Sequence, residues 1–373
     1  MGRSDRSVSA PDDKGSTVAG QGTNSRSTSP SLRGIDRLWG RIALGAVFGI
    51  GIVTVLMVFG DVRRVFPTLR HFEWSLFPLV LLLTAGNYVC RFVKWECYLR
   101  WVGAPRLRRG WSLAVFLSGF AMSITPGKVG EWIKAFLVAR LGGGAVAPVV
   151  PVVAVERLTD GIAMLILALL SALAGLGGWE PLVALAGILL AGLWLVQEER
   201  VVRPLLRLAA RAPLLRSRAE SVGGLYDATR AVLRWRRLVA MSGLSVFSWS
   251  LECLGLFVIL IGLGAEPSVE LLAVATFVLS VSSIAGALSL LPGGLGAAEA
   301  GIAGLLLLLR PGMTPAEAAT ATVLIRFGTL WFGVLTGCVA LLWLQRRVLR
   351  FLPAGARVEP SAAAAGLAEA NEQ

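Results

Sequence analysis

Apolar runs of about 20 residues recur along this chain, and their length constrains the fold more than any other feature. A helix of that length crosses the hydrocarbon core of a bilayer, which is about 30 Å thick. The chain has 373 residues, of which 55% are hydrophobic and 16% charged, and its mean hydropathy is +0.71. Soluble domains seldom reach that average, and the strand-like alternation of an outer-membrane barrel is absent. The sequence therefore predicts an all-α fold, a polytopic membrane helix bundle.

Composition divides the chain into three parts. Residues 1–38 are rich in Ser, Gly, Thr, Asp and Arg without an apolar period, which predicts a disordered cytoplasmic tail, and the Ala-rich residues 349–373 predict a second one. Between them, residues 39–348 form a predicted transmembrane domain of about eight helices. The predicted spans are 42–60, 74–92, 149–176, 181–196, 238–263 and 314–343, with broken hairpins at 111–141 and 271–309. Residues 198–237 are strongly basic and predict either an amphipathic helix on the inner membrane surface or a solvated loop helix.

The net charge of +13 raises the question of a nucleic-acid partner. The positive residues instead fall in a few loops between apolar runs, and no nucleic-acid module accompanies them. This pattern predicts a multi-pass protein of the cell (inner or plasma) membrane with both termini in the cytoplasm and with anionic inner-leaflet lipids as partners. One such basic loop is predicted after residue 92, with Arg91 and Lys94 at its start and with Trp95 and Tyr98 at the level of the lipid headgroups.

Two helix breaks occur at matching places in the two halves of the chain. The first, Pro126, Gly127 and Gly130, lies in the run TPGKVGE, and the second, Pro292, Gly293 and Gly296, lies in LPGGLGAAE. The two hairpins that contain these breaks are predicted to enter from opposite sides of the membrane, so they form an inverted repeat. Interrupted segments at corresponding positions of inverted halves indicate a transport site near the middle of the bilayer.

An arginine follows each break within an apolar run. At 1.5 Å per residue, Arg326 lies roughly 17 Å along a helix that starts at Pro315. Arg157 lies roughly 14 Å from Pro148 by the same measure. Both arginines are therefore predicted near the bilayer midplane, where an unpaired ion costs about 2.5 to 3.5 kcal/mol. Glu156 and Asp160 share one helix face, so one acid is expected to pair with Arg157 and the other with Arg326.

The arginines are predicted to receive the phosphate of a lipid headgroup, because a guanidinium matches phosphate oxygens with a two-point fork. The predicted substrate-binding residues are Lys128, Glu131, Glu156, Arg157, Asp160, Glu299 and Arg326. The alternative is a buried ion cluster that locks the helices together. With one histidine and four scattered cysteines, the sequence predicts no metal site, no cofactor and no recognisable catalytic motif.

Three weaker patterns are also present. Glu252, the one acid of its span, is interpreted as a proton carrier or as a hydrogen-bonding partner of a neighbouring helix. Asn87 and Arg91, one turn apart, are interpreted as a membrane anchor. Glu131 and Lys134 are interpreted as a pair on one helix face.

At these same residues the chain resembles the lysylphosphatidylglycerol synthase transmembrane family, a flippase-like integral membrane domain. The matching features are Asn87…Arg91…Lys94-Trp95, TPGKVGEWIKAFLVAR, Glu156-Arg157…Asp160, LLPGGLGAAEAG and Ile325-Arg326. The resemblance covers about residues 40–345 and implies movement of a phospholipid or a polyprenyl-linked lipid between leaflets. The aminoacyltransferase domain that follows in the multiple peptide resistance factor is not expected here, so lipid lysylation is not expected either.

Three functions are compatible with these features. The first is a lipid flippase or transporter with its site between the inverted halves. The second is an accessory membrane subunit that positions a separate lipid-modifying synthase or glycosyltransferase through residues 198–237. The third is a membrane glycosyltransferase with Glu131, Glu156 or Asp160 as base, although the sequence has no D-x-D motif. The sequence is also compatible with a homo-oligomer.

Overall fold

The computed structural model describes residues 60–123, 133–142, 149–198 and 229–348, together with part of 47–58. The predicted tails 1–38 and 349–373, the first break with Lys128 and Glu131, and most of the basic segment 198–237 lie outside these residues. Within the described ranges every regular element is a helix. The helices are α1 (Val62–His71), α2 (Phe77–Trp101), α3 (Arg109–Ala121), α4 (Ile133–Gly142), α5 (Val150–Ser171), α6 (Glu180–Gln197), α7 (Trp235–Gly262), α8 (Val269–Leu288), α9 (Ala297–Leu309), α10 (Pro315–Arg326) and α11 (Phe332–Val348).

Short turns of tighter or wider helix extend several of these elements. A 3₁₀ turn at Trp74–Leu76 leads into α2, and π-helical turns continue α5 at Ala172–Leu176 and join α10 to α11 at Phe327–Trp331. The start of α10 is a capping box, because Thr314 Oγ1 accepts from the Glu317 N–H and Glu317 Oε2 accepts from the Thr314 N–H. The π-helical turn directly after Arg326 shifts the register of the chain beside that residue.

Six helical stretches in the described part of the chain are long and apolar enough to cross a membrane. They are Trp74–Trp101, Val150–Leu176, Trp235–Gly262, Val269–Leu288, Pro292–Leu309 and Pro315–Arg347, and Glu180–Leu195 is a shorter apolar helix. The polytopic helical membrane protein predicted from the sequence is therefore confirmed. The predicted count of about eight helices also includes the span 42–60, which is described only in part.

The second predicted break is a tight turn between α8 and α9. Pro292–Gly294 form a 3₁₀ turn, and α9 then starts at Ala297. Gly294 has φ +67°, and a Cβ there would lie 3.1 Å from backbone atoms of Gly286 on α8. A glycine at this position allows both the backbone conformation and the close approach of the two chain segments.

The predicted second span, 74–92, ends nine residues before the end of the helix that the structure shows. α2 continues from Phe77 to Trp101 without interruption, so Arg91 and Lys94 lie inside a helix and not in a loop. Trp95 and Tyr98, predicted at the headgroup level, have no exposed surface. The sequence prediction ended the span at Arg91 and Lys94 because it assumed that these charged side chains face water. In the structure they face carboxylates of α5, so the helix tolerates them within the protein.

α7 lies at the centre of the described helices and packs against α2, α5, α8 and α10. α8 also packs against α5 and α9, and α11 packs along α3. At the last contact, a Cβ on Gly337 would lie 2.2 Å from the backbone nitrogen of Ala121, so α3 and α11 approach closely through a glycine. In a bilayer, such close packing and interhelical hydrogen bonds replace the hydrophobic effect as the force that holds helices together.

Candidate functional site

The two carboxylates of α5 form the base of a buried ion cluster. Glu156 and Asp160 are one helical turn apart and are 0% and 1% exposed. Arg157 of the same helix reaches both of them, because its Nη2 lies 3.4 Å from Glu156 Oε1 and its Nη1 lies 3.7 Å from Asp160 Oδ2. Arg157 was predicted to pair with one acid, and in the structure it contacts both Glu156 and Asp160.

Three cations from other helices complete this cluster. Arg91 Nη2 on α2 lies 3.3 Å from both Glu156 Oε1 and Asp160 Oδ2. Lys94 Nζ, one turn further along α2, donates to Asp160 Oδ1 at 2.5 Å. Lys134 Nζ on α4 donates to Glu156 Oε2 at 2.8 Å, and it lies 5.1 Å from the centre of the Trp95 ring. The cluster thus joins α2, α4 and α5 through charge-assisted hydrogen bonds.

The buried ion cluster carries more positive than negative charge. It contains four cations and two carboxylates, a formal excess of +2 among the residues that the structure describes. The cations differ in their exposure: the side chains of Lys94 and Lys134 are almost completely enclosed, whereas that of Arg157 is 26% exposed. The lysines therefore hold the carboxylates, and Arg157 is the member most accessible to a ligand.

Arg326 belongs to a separate network at the α8–α9 turn. Its Nε donates to Glu299 Oε1 at 2.5 Å, and its Nη2 donates to the Gly293 carbonyl at 3.1 Å. Glu299 Oε2 in turn accepts from the backbone N–H of Gly296 at 2.6 Å. The expectation that Glu156 or Asp160 pairs with Arg326 is therefore wrong. The partner of Arg326 is Glu299 on α9, which lies beside it. Sequence spacing alone did not show which helices are neighbours.

A cavity of about 320 Å³ connects the two networks. Arg91 and Arg157 of the buried ion cluster line it, and so does Arg326. Its other charged lining residues are Asp160 and Glu252. The remaining wall is polar in part and otherwise apolar or small: Tyr88, Phe120, Ser123, Gly161, Met164, Trp249, Ser283, Gly286, Ala287, Leu290, Leu291, Gly293, Gly294, Ala298, Thr329, Leu330 and Gly333. The structure thus brings the two predicted arginines to one cavity without a direct contact between them.

The other predicted site residues have different places. Glu299 binds Arg326 without lining the cavity, Gly293 lines it, and Pro292 and Gly296 belong to the turn beside it. Lys128, Glu131, Pro126, Gly127 and Gly130 lie outside the described residues. Among the residues that are described, no group of three or more His, Cys, Asp or Glu side chains is placed to hold a metal ion.

Sequence reasoning missed Arg91, Lys94 and Lys134 as members of the site. A signal for the first two was present, because Asn87, Arg91, Lys94 and Tyr98 recur at intervals of four, three and four residues and so share one helix face. The structure uses that whole face: the Asn87 Nδ2 donates to the Ser248 carbonyl of α7 at 2.9 Å, and Tyr98 Oη lies 3.1 Å from Thr159 Oγ1. The interpretation of Asn87 and Arg91 as a surface anchor is wrong, since both are buried.

Lys134 had no comparable signal. Its pairing with Glu131 on one helix face was the expectation, and Glu131 lies outside the described residues. The partner that the structure shows is Glu156, 22 positions away in the sequence. A contact of this kind depends on how α4 packs beside α5, which a local pattern does not contain.

Comparisons with known proteins agree with the fold. The model of a family described as the lysylphosphatidylglycerol synthase TM region matches residues 43–337. The chain is also similar to a "UPF0104 membrane protein" of Methanothermobacter thermautotrophicus, with 24% identity over 268 residues, which is 66% of this chain and 78% of that protein. The matched range includes α1 to α10 and the first six residues of α11, and hence the residues of both arginine networks.

Proposed function

Because the chain belongs to the lysylphosphatidylglycerol synthase transmembrane-region family, we propose that it moves a phospholipid or polyprenyl-linked lipid between leaflets. The headgroup phosphate is received by Arg157 and Arg326, and the protein acts as a transporter and not as an enzyme. It resides in the cell membrane with both termini in the cytoplasm. The observation that carries the proposal is that both guanidinium groups line one cavity, within helices apolar enough to span a bilayer.

The charge of the site favours an anionic ligand. The buried ion cluster has an excess of +2, Glu299 balances Arg326, and Glu252 on the cavity wall still leaves an excess of +1 among the described groups. In a medium of low dielectric constant, the guanidinium groups that line the cavity attract an anion that enters it. The accessible surface of Arg157 in the cavity wall therefore favours ligand binding over the purely structural alternative.

The shape of the cavity favours a lipid headgroup over a whole lipid. Its volume of about 320 Å³ lies at the lower end of ligand pockets. Leu290 and Leu291 belong to its wall and are also 72% and 40% exposed, so they form an apolar rim. A headgroup inside the cavity would leave its acyl chains beyond that rim, in contact with the surrounding hydrocarbon. This arrangement lets one headgroup pass the midplane without carrying its chains through the protein.

The test is lipid movement in vesicles that contain the purified full chain. A phospholipid labelled on its acyl chain is placed in the inner and outer leaflets, and dithionite reduces the label that becomes accessible outside. Arg157→Gln and Arg326→Gln are each expected to slow lipid movement by about tenfold or more, because a charge-assisted hydrogen bond contributes about 1.5 to 3 kcal/mol. Arg64→Gln is the control, since the Arg64 side chain is 78% exposed and lies outside the cavity.

Three outcomes distinguish the functions. If Arg157→Gln and Arg326→Gln both move lipid at the wild-type rate, and their melting temperature and elution volume show that they are folded, the arginines are not the phosphate site. No movement by the wild-type chain, but restored activity of a co-reconstituted synthase, identifies an accessory subunit. Formation of a modified lipid from a donor by the chain alone identifies an enzyme.

A further inference from the structure

The short helix α1 lies where three of the membrane-spanning stretches begin or end. On one side it packs against the start of α10, where Val65 is buried with Ala316. Directly after α1, the Glu73 N–H donates to the carbonyl of Gly262, the last residue of α7, at 3.0 Å. The third stretch starts at Trp74. Since spans end where hydrocarbon meets headgroups, these contacts place α1 at the level of the lipid headgroups and not within the bilayer core.

The side of α1 that faces away from the protein carries two arginines and a phenylalanine. Arg63, Phe66 and Arg70 follow one another at intervals of three and four residues, so they share one helix face, which we call the arginine face. All three are exposed, Phe66 to 52%, whereas Val65 is only 2% exposed. The guanidinium carbon of Arg70 lies 5.4 Å from the centre of the Phe66 ring. An exposed ring between two guanidinium groups suits the boundary between headgroups and acyl chains, because the ring can enter the hydrocarbon while the cations meet phosphates.

The charge of the arginine face fits an anionic surface. α1 itself contains no Asp or Glu. Asp61, the residue that caps its start, lies 3.8 Å from Arg64. No carboxylate in the described part of the chain forms an ion pair with Arg63 or Arg70. The guanidinium groups of these two residues are therefore available to the phosphates of neighbouring lipids, which a guanidinium contacts through two parallel hydrogen bonds.

We infer that the arginine face of α1 binds anionic phospholipid headgroups of the leaflet beside it. These lipids surround the protein, and the face is separate from the cavity, so they are not the molecules that the proposed transport moves. Trp74, which is 49% exposed just beyond α1, adds an aromatic side chain of the kind that is enriched at membrane interfaces. The charge pattern of the chain predicts that this side is external, where arginines are disfavoured. Lipid binding gives the arginines of α1 a role on that side.

The test compares the full chain in nanodiscs of phosphatidylcholine with the full chain in nanodiscs that also contain phosphatidylglycerol, one chain in each disc. Hydrogen–deuterium exchange of residues 62–71 is expected to be about tenfold slower with the anionic lipid, because each arginine near an anionic surface favours the bound helix by about fivefold. Arg63→Gln and Arg70→Gln are each expected to reduce this protection by about fivefold. Arg64→Gln is the matched control, since it removes the same charge from the same helix at the residue that lies beside Asp61. It is expected to keep the protection.

A second arm separates a lipid surface from a soluble anion. Glycerol phosphate added to the phosphatidylcholine nanodiscs is expected to leave the exchange of α1 unchanged, and protection by it would overturn the binding of lipid. Equal exchange of the wild-type chain in the two kinds of nanodisc would also overturn the inference. Equal losses in Arg63→Gln, Arg70→Gln and Arg64→Gln would show general attraction of positive charge and overturn the arginine face. None of these measurements involves lipid movement through the cavity, so the proposed transport stands or falls separately.

Discussion

Lys94 and Arg157 bind the same carboxylate in different ways. The Lys94 ammonium has three donors, and three acceptors surround it: Asp160 Oδ1 at 2.5 Å, Ser245 Oγ at 2.5 Å and Thr159 Oγ1 at 3.4 Å. Its side chain has no exposed surface, whereas Arg157 is 26% exposed and lines the cavity. An ion whose donors are all occupied inside the protein stabilises the helix packing. An ion with accessible surface is available to a ligand.

This difference predicts separate effects on stability and on transport. Lys94→Met is expected to destabilise the protein by about 3 kcal/mol, because it removes one partner of a buried pair and leaves Asp160, Ser245 and Thr159 without the ammonium that donates to them. The measurement is the thermal unfolding midpoint in detergent. The double variant Lys94→Met with Asp160→Asn is expected to be less unstable than the sum of the two single variants, since it removes both charges. An unchanged midpoint in Lys94→Met would contradict this role.

At the scale of elements, the α8–α9 turn is held by a glutamate with two functions. Glu299 accepts the Gly296 N–H at the start of α9 and also pairs with Arg326 at the end of α10. Glu317 has only the first function, because it accepts the Thr314 N–H at the start of α10 and is exposed. The two glutamates occupy the same position of a helix start, and this makes them a matched pair for experiment.

Glu299→Gln is expected to loosen the turn, and Glu317→Gln is not. The amide of glutamine still accepts the N–H at the helix start, but it no longer forms an ion pair with Arg326. Amides of residues 289–296 are expected to exchange hydrogen about tenfold faster in Glu299→Gln, because local opening of this turn then breaks a neutral instead of a charged contact. The measurement is hydrogen–deuterium exchange by mass spectrometry on the full chain in detergent. Equal exchange in the two variants would show that Arg326 does not hold the turn.

At the scale of the whole molecule, the sequence predicted those features of the fold that depend on a local residue pattern. The membrane spans follow from the length of apolar runs, and the turn at Pro292–Gly294 follows from its proline and glycines. The pairing of charges did not follow, because Arg91 and Glu156 are 65 positions apart and meet only through the packing of α2 on α5. Arg326 shows the same limit: helix rise gives only an expected depth for it, and its partner depends on which hairpin lies beside α10.

The orientation of the molecule in the membrane is a further expectation at this scale. Glu266 lies in the loop between α7 and α8, which also holds no lysine or arginine, and Arg347 lies at the end of α11. We expect the hairpin α8–α9 to return to the side of the membrane from which it starts, whether it crosses fully or re-enters. We expect α10–α11 then to cross the membrane once. The two positions are therefore expected on opposite sides, with the basic end of α11 in the cytoplasm.

Single cysteines report these sides directly. After the four native cysteines are replaced, Glu266→Cys is expected to react with a membrane-impermeant maleimide in intact cells, because the residue is exposed and its loop is predicted to lie outside. Arg347→Cys is expected to react only after the membrane is permeabilised. As a control, maleimide treatment of permeabilised cells is expected to label both thiols, which shows that both are accessible on the folded protein. Labelling of both positions from outside would contradict the single crossing of α10–α11, and labelling of Arg347→Cys alone would reverse the orientation and place the +13 chain against the positive-inside rule.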